Sequence, residues 1–335
     1  MKKTIIFCIT AVLIYSTASA QTIFEDAKGE SSIFLSNSPW AGLRINTSDK
    51  SATLGFNKVK KTGYDVRTTG LLGNFRWLYG TEIKISSDDG IGSIVSKGKS
   101  AINYGINLNF GISGHRPYKT SSTTNDYLLY LKAGYRYDRY KLIDLSSSTL
   151  SKTNRYLPFL DLHFNKVWVN NINTTKQLYT FFGASLGVHR GNNIDDLDDG
   201  QINTLVAQSA PNSVSTVETG KIGSYLQHTY YPLKADLGFL PYLFDQNVLG
   251  FNGYARANFK TPGNPVNTGL GIFFADPKKV TSINGGAAVQ FNDIFKAGTA
   301  TKDKTSVFST WVIPSNRCRI ISSACITTAC KKTII

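Results

Sequence analysis

Residues Ile102 to Ser113 read I-N-Y-G-I-N-L-N-F-G-I-S, and the fold follows from how that stretch is read. Apolar side chains stand at Ile102, Tyr104, Ile106, Leu108, Phe110 and Ile112, with Asn103, Gly105, Asn107, Asn109, Gly111 and Ser113 between them. Successive side chains of a strand point to opposite faces, so one face is wholly apolar and the other wholly small or polar. A soluble sandwich has this pattern when the apolar face meets a core. A membrane-spanning barrel has it when the apolar face meets lipid, in strands of roughly 9–11 residues repeated along the chain.

The pattern recurs. Ala52 to Phe56 is a strand, and Leu71 to Ile85 is a long one, with Leu71, Phe75, Trp77, Tyr79, Ile83 and Ile85 opposite Asn74, Arg76, Glu82 and Lys84. From Tyr127, Leu129, Leu131, Ala133, Tyr135 and Tyr137 share the outward face, and Lys132, Gly134, Arg136 and Asp138 the inward one. Leu160, Leu162 and Phe164 oppose Asp161, His163 and Asn165, and Phe182 to Val188 alternate with Gly183, Ser185, Gly187 and His189. Leu233 to Phe239 oppose Lys234, Asp236 and Gly238, with Pro232 read as a bulge or edge feature. Leu249 to Phe259 put Asn252, Tyr254, Arg256 and Asn258 inward. Gly269 to Ala275, Thr281 to Asn292 and Ser306 to Ile313 complete the series. The serine- and threonine-rich stretch Arg139 to Arg155 and the polar stretch Arg190 to Lys221 read as loops, and Ser32-Ile33-Phe34-Leu35 as a candidate strand start.

The ends differ from the middle. Met1-Lys2-Lys3, an apolar run from Ile5 to Tyr15 and Ala18-Ser19-Ala20 before Gln21 predict a secretory leader, residues 1–20. Residues 21–50 read as a first strand or a plug, 51–313 as the barrel, and 314–335 as an atypical tail. That tail lacks alternation and aromatics and holds Cys318, Cys325 and Cys330, the cysteines beyond Cys8 of the leader. A spacing of C-x6-C-x4-C without histidine is a poor zinc signature. From about Lys304 onward the sequence reads as a departure of the kind a shifted frame would produce.

With 18% charged and 12% aromatic residues, and no apolar run long enough for a spanning helix, the composition suits a β-rich exported chain. The formal net charge is +15, including Lys2 and Lys3 of the leader. A basic exported protein has anionic lipid phosphates as neighbours; the scattered lysines and absence of a basic helix argue against nucleic acid.

Three features are candidates for chemistry. The loop Asn192-Asn193-Ile194-Asp195-Asp196-Leu197-Asp198-Asp199-Gly200 has the oxygen density of a calcium site, but an EF-hand register would put Leu197 at a ligand position, so a solvated loop is the simpler reading. Inward-facing Asp161, His163, Ser185 and His189 have hydrolytic chemistry in principle, but no nucleophile elbow surrounds Ser185 and nothing in the sequence brings them together. No phosphate-binding loop, dinucleotide fingerprint or H-E-x-x-H occurs. No catalytic, cofactor-binding or metal-binding residue is assigned, and the expectation is a protein without enzymatic activity or cofactor. The candidate lumen-facing residues are Arg76, Lys132, Arg136, Asp161, His163, Lys234, Asp236 and Arg256, paired largely with one another.

The cleaved leader together with two-period strands such as Ile102–Ser113, Leu249–Phe259 and Thr281–Asn292 resembles the outer-membrane β-barrel proteins of Gram-negative bacteria, which are porin-like in architecture. The resemblance implies an all-β fold: a transmembrane antiparallel up-and-down barrel of about 12 strands with periplasmic termini, long external loops and short periplasmic turns such as Asp276–Lys279. It implies outer-membrane lipids, lipopolysaccharide and the barrel-assembly machinery as partners, and outer-membrane localisation. The terminal aromatic that such barrels present to that machinery is absent. Two functions are expected from this architecture. One is a pore or transporter for small solutes, with a modest anion preference from the basic excess of the inward charges. The alternative is a closed barrel with a structural, adhesive or ligand-binding role through its external loops. A lipid hydrolase has little support.

Overall fold

The computed structural model describes residues 25–28, 30–33, 40–61, 75–87, 102–117, 123–144, 149–172, 176–194, 197–209, 212–243, 247–261, 265–274, 284–295 and 305–314. The expected leader 1–20, the expected turn Asp276–Lys279, Asp195 and Asp196, and residues 315–335 with their cysteines lie outside them. The strands are β1 (Trp40–Asn46), β2 (Ser51–Lys61), β3 (Phe75–Ser87), β4 (Ile102–Pro117), β5 (Thr123–Asp144), β6 (Thr149–Asn171), β7 (Gln177–Asn192), β8 (Asp198–Ser209), β9 (Asn212–Ile222), β10 (Gln227–Leu240), β11 (Leu249–Phe259), β12 (Val266–Phe274), β13 (Asn284–Phe291) and β14 (Thr305–Pro314).

Sequential strands pair antiparallel from β1 to β7, from β8 to β9 and from β10 to β14, while β7 pairs with β10 and β1 with β14. β1 to β7 and β10 to β14 therefore close on themselves as a barrel of 12 strands, and β8–β9 is a hairpin outside the ring. Because the strand number is even, β1 begins and β14 ends at the same end of the barrel. The 193–226 connection lies at the opposite end.

Exposure decides between barrel and sandwich. On β4, Leu108 is 65% exposed and Phe110 52%, while Asn107, Asn109 and Ser113 are buried. The same inversion holds at Leu162, Leu186, Leu270 and Val307, so apolar side chains face outward from strand after strand. A belt of this extent is too large for a water-facing surface of a monomer. It is what lipid requires, with every backbone group satisfied by ring closure. No helix among the described residues is long and apolar enough to cross a membrane, which says nothing of crossing by strands.

Four expectations need correction. Arg139 to Arg155 is not a loop: β5 runs on to Asp144 and β6 starts at Thr149, paired continuously from Asp144↔Thr149. Most of Arg190 to Lys221 is likewise strand, since β7 continues to Asn192 and β8–β9 follows. β9 pairs parallel with the edge of β5 at Leu142 and Ile143, beyond the point where β4 stops. Gly220 permits that approach, because a Cβ there would lie 2.9 Å from the Lys141 carbonyl oxygen and 3.1 Å from Ile143. Outside the bilayer a strand needs no apolar face, so these segments lack the diagnostic alternation. Pro232 makes no bulge: the register with β7 is the same at Tyr230↔His189 and Leu233↔Leu186, and the pairing lapses only between them. Lastly, residues from Thr305 to Pro314 are the closing strand β14, paired with both β13 and β1, so the departure from the barrel pattern does not begin at Lys304.

Candidate functional site

The site is the barrel interior, and a segment of the chain itself crosses it. Ser32 and Ile33 do not start a strand; with Glu25 to Lys28, Glu30 and Ser31 they lie inside the ring. An Asx-type turn shapes this segment: Asp26 Oδ1 accepts from the amides of Lys28 (2.9 Å) and Glu30 (3.0 Å), and the Asp26 amide donates to the Glu30 carbonyl. Each of its carboxylates meets a cation on a different strand. Glu25 pairs with Arg44 of β1 (3.1 Å), Asp26 with Arg256 of β11 (3.0 Å) and Glu30 with Lys234 of β10 (2.8 Å).

The main chain of the segment is held as well. The Ser32 amide and hydroxyl donate to Asp236, and Asn165 donates to the Ser32 carbonyl. The Ala27 amide donates to Gln290 Oε1 (3.1 Å), which also accepts from the Tyr254 hydroxyl, and Asn46 donates to the Asp26 carbonyl (3.0 Å). Apolar contacts complete the seat: Ala27 packs against Tyr254, Ala288 and Phe308, and Ile33, the larger anchor, with Phe181, Leu240 and Phe273. These last residues stand near the end at which the barrel strands begin and finish, so the segment runs from there up to Arg44 and Asn46.

The wall pairs its own charges behind the segment. Arg44 also bonds Glu82 (2.9 Å), which in turn takes Lys132 (2.9 Å) and Asn107 (3.2 Å). Arg256 also bonds Asp236 (2.7 Å). Arg136 sits higher, half-exposed, on Asp138 (2.6 Å), which also accepts from the Tyr140 hydroxyl. Arg76 shares the inward face of β3, half-buried, at the level of Ser113. Within the inserted segment, which is not a spanning strand, burial raises the Glu25 and Asp26 carboxyls despite their arginines. Burial acts on Glu30 in the same sense, but the Lys234 ammonium overrides it and holds that group well below the usual carboxylate range.

Strand pairing does bring together the residues the sequence left scattered. His189 Nε2 lies 2.7 Å from Asp161 Oδ1, and His163 Nε2 lies 3.9 Å from Asp161 Oδ2. His163 stacks on Tyr130 with centroids 4.4 Å apart and is level with Ser185 across β6–β7. Ser185 Oγ and both His163 nitrogens have no hydrogen-bond partner among the described residues, so the arrangement holds a His–Asp pair without an engaged nucleophile. No group of three metal-ligating side chains with suitable geometry occurs among the described residues. At the acidic loop, Asn193 closes the loop base on Ser224 and Leu226, and Asp199 pairs with Lys221.

Glu25, Asp26, Glu30, Arg44, Asn46, Asn165 and Gln290 were not among the residues singled out as candidates. An acidic stretch ahead of strands with a basic inward excess was the available signal.

No family model matches the chain, and no curated protein matches it. Among solved structures it is similar to the crystal structure of the beta domain of the Bordetella autotransporter Brka, at 12% identity over 82% of this chain and 98% of that chain, with a TM-score of 0.37.

Proposed function

We propose that the chain is an outer-membrane barrel, exported by its leader, that passes small solutes when residues 25–33 leave the lumen. The observation that carries this reading is how the segment is held. Its contacts are overwhelmingly ion pairs and hydrogen bonds, which water and dissolved ions can replace, and Ile33 is its main apolar anchor. A permanent core would exclude water with apolar packing, whereas this interior is polar on the wall and on the segment alike. Asn107, Asn109, Ser113 and Ser185 each present a wall oxygen that has no hydrogen-bond partner among the described residues, which suits a wet lumen.

In this reading the outward belt contacts outer-membrane lipid and lipopolysaccharide, insertion depends on the barrel-assembly machinery, and neither enzyme chemistry nor a cofactor is required. The test is conductance in planar bilayers of the purified wild type beside the full chain carrying Glu30→Gln and Ile33→Asn, which removes the one carboxylate whose charge favours insertion and the apolar anchor. The wild type should be mostly closed and the double variant open for a larger share of the time. The β8–β9 hairpin and the long β5–β6 extension support the second reading, a closed barrel acting through its external strands. Absence of current from every segment variant, with the barrel folded, would select that one.

A further inference from the structure

We propose that Arg44, Lys234 and Arg256, with the polar wall around them, form a binding site for acidic peptides, which the protein's own residues 25–33 fill. The inference rests on the gated-pore reading only for its biological use; the site itself is read from the contacts.

Three cations on β1, β10 and β11 each receive one carboxylate of the segment, at 3.1, 2.8 and 3.0 Å. The three cationic side chains are nearly inaccessible, so a cation left alone there is costly. Arg44 and Arg256 keep Glu82 and Asp236 when the segment leaves. Lys234 has no second carboxylate within ion-pair distance among the described residues, so it most needs an incoming anion.

Charge alone would suit any polyanion, but the wall also reads peptide groups of both polarities. Asp236 and Gln290 accept main-chain N–H groups, from Ser32 and Ala27, and Asn165 and Asn46 donate to main-chain carbonyls, of Ser32 and Asp26. A phosphate or sulfate polymer offers no N–H donors, so Asp236 and Gln290 would face it with acceptors only. A short peptide with two or three spaced carboxylates meets both sets. The apolar pocket of Phe181, Leu240 and Phe273 takes its aliphatic end, as it takes Ile33.

The test uses the full chain with Glu30→Gln and Ile33→Asn, refolded in detergent and checked for heat-modifiable migration. The probe is a fluorescein-labelled nonapeptide of sequence Glu-Asp-Ala-Lys-Gly-Glu-Ser-Ser-Ile, beside its Gln/Asn analogue, followed by anisotropy. We expect the acidic peptide to bind at least tenfold more tightly than the amide analogue, with the difference shrinking as salt rises toward 1 M. Adding Lys234→Gln should abolish most of that preference. Equal binding of the two peptides, no binding, or a preference unaffected by Lys234→Gln overturns the proposal. If that variant does not refold, the same comparison is made on Ile33→Asn alone, which removes the segment's apolar anchor and leaves the wall and every charge native. Anisotropy needs no current, so a closed barrel that still binds the acidic peptide would refute the pore and leave this site standing. A conducting barrel that does not bind it would do the reverse.

Discussion

Gly183→Ala should open the barrel without disturbing its wall. A Cβ at Gly183 would lie 2.6 Å from Ile33 Cγ1, 2.8 Å from the Ser32 carbonyl oxygen and 2.9 Å from its carbon. Two of those atoms are main chain of the inserted segment, so no rotamer change relieves the contact and the segment itself must shift. Overpacking of this kind costs about 1–3 kcal/mol. The released state does not feel it, so the closed-to-open equilibrium moves toward open by about 5- to 150-fold. Gly105→Ala is the matched control, because its Cβ would meet only the wall, 3.3 Å from the Tyr135 carbonyl oxygen and 3.8 Å from Arg136 Cα. Open probability in planar bilayers reads the effect, with heat-modifiable migration confirming that both variants are folded. A folded Gly183→Ala barrel no more open than wild type would refute the steric argument, and so would an equal gain in Gly105→Ala.

Leu108→Arg should reduce the yield of heat-modifiable barrel, since an arginine on the lipid face at mid-bilayer costs about 2–4 kcal/mol, whereas lumen-facing Asn107→Gln should not; equal losses would contradict the facing of β4. Acidification from pH 7 to 5 should leave the channel shut. Glu30 has a depressed carboxyl in the inserted state, so its contribution to closure is present above the free value of about 4.3 and fades only below it. Glu25 and Asp26 are raised, so taking up protons favours insertion rather than release. Opening between pH 7 and 5 in bilayer recordings would show that this sign is wrong. Replacing residues 197–222 by Asn-Gly should preserve the barrel, because β7 and β10 already meet at Asn192↔Gln227 and Asn193 bonds Leu226 directly; loss of the folded, heat-modifiable band would show that the hairpin is required.

The fold was legible where the bilayer imposes a period. Tyr104, Leu108 and Phe110 alternate with Asn107 and Asn109 because lipid lies on one side and a polar interior on the other, and no other arrangement of β4 satisfies both. Past the bilayer that constraint ends. Thr149 to Arg155 and Gln201 to Ser209 pair as strands, but their serines, threonines and glutamines carry no apolar period in the sequence and read as loops. Pro232 misled for a different reason. A proline missing its N–H has two ways to sit in a sheet, by a bulge or by a gap in one ladder, and only the register with β7 distinguishes them.

The interior was legible as a face but not as a set of contacts. Parity along each strand puts Asp161, His163, Lys234, Asp236 and Arg256 inward, and all five are buried there. Partnership depends on register across strands, which parity does not fix. Asp161 is level with Gly187, not with His189, and reaches the histidine because Gly187 has no side chain; a Cβ there would fall on Asp161 Oδ1. The inserted segment was hidden by sequence distance, since Asp26 and Arg256 are 230 residues apart and Ser32 and Asp236 are 204 apart. Ring closure makes such contacts affordable, because the wall is already ordered and only the short segment loses freedom on docking. The wall is also so paired that Arg44 and Arg256 retain an acid whether or not the segment is present. Release then leaves one buried cation, Lys234, with no carboxylate in ion-pair distance among the described residues, so the electrostatic cost of leaving falls mainly on that side chain. An interior with two tolerable arrangements of charge is what a switchable barrel needs, and a barrel built only to stay filled would gain nothing from Glu82 and Asp236 standing behind the arginines.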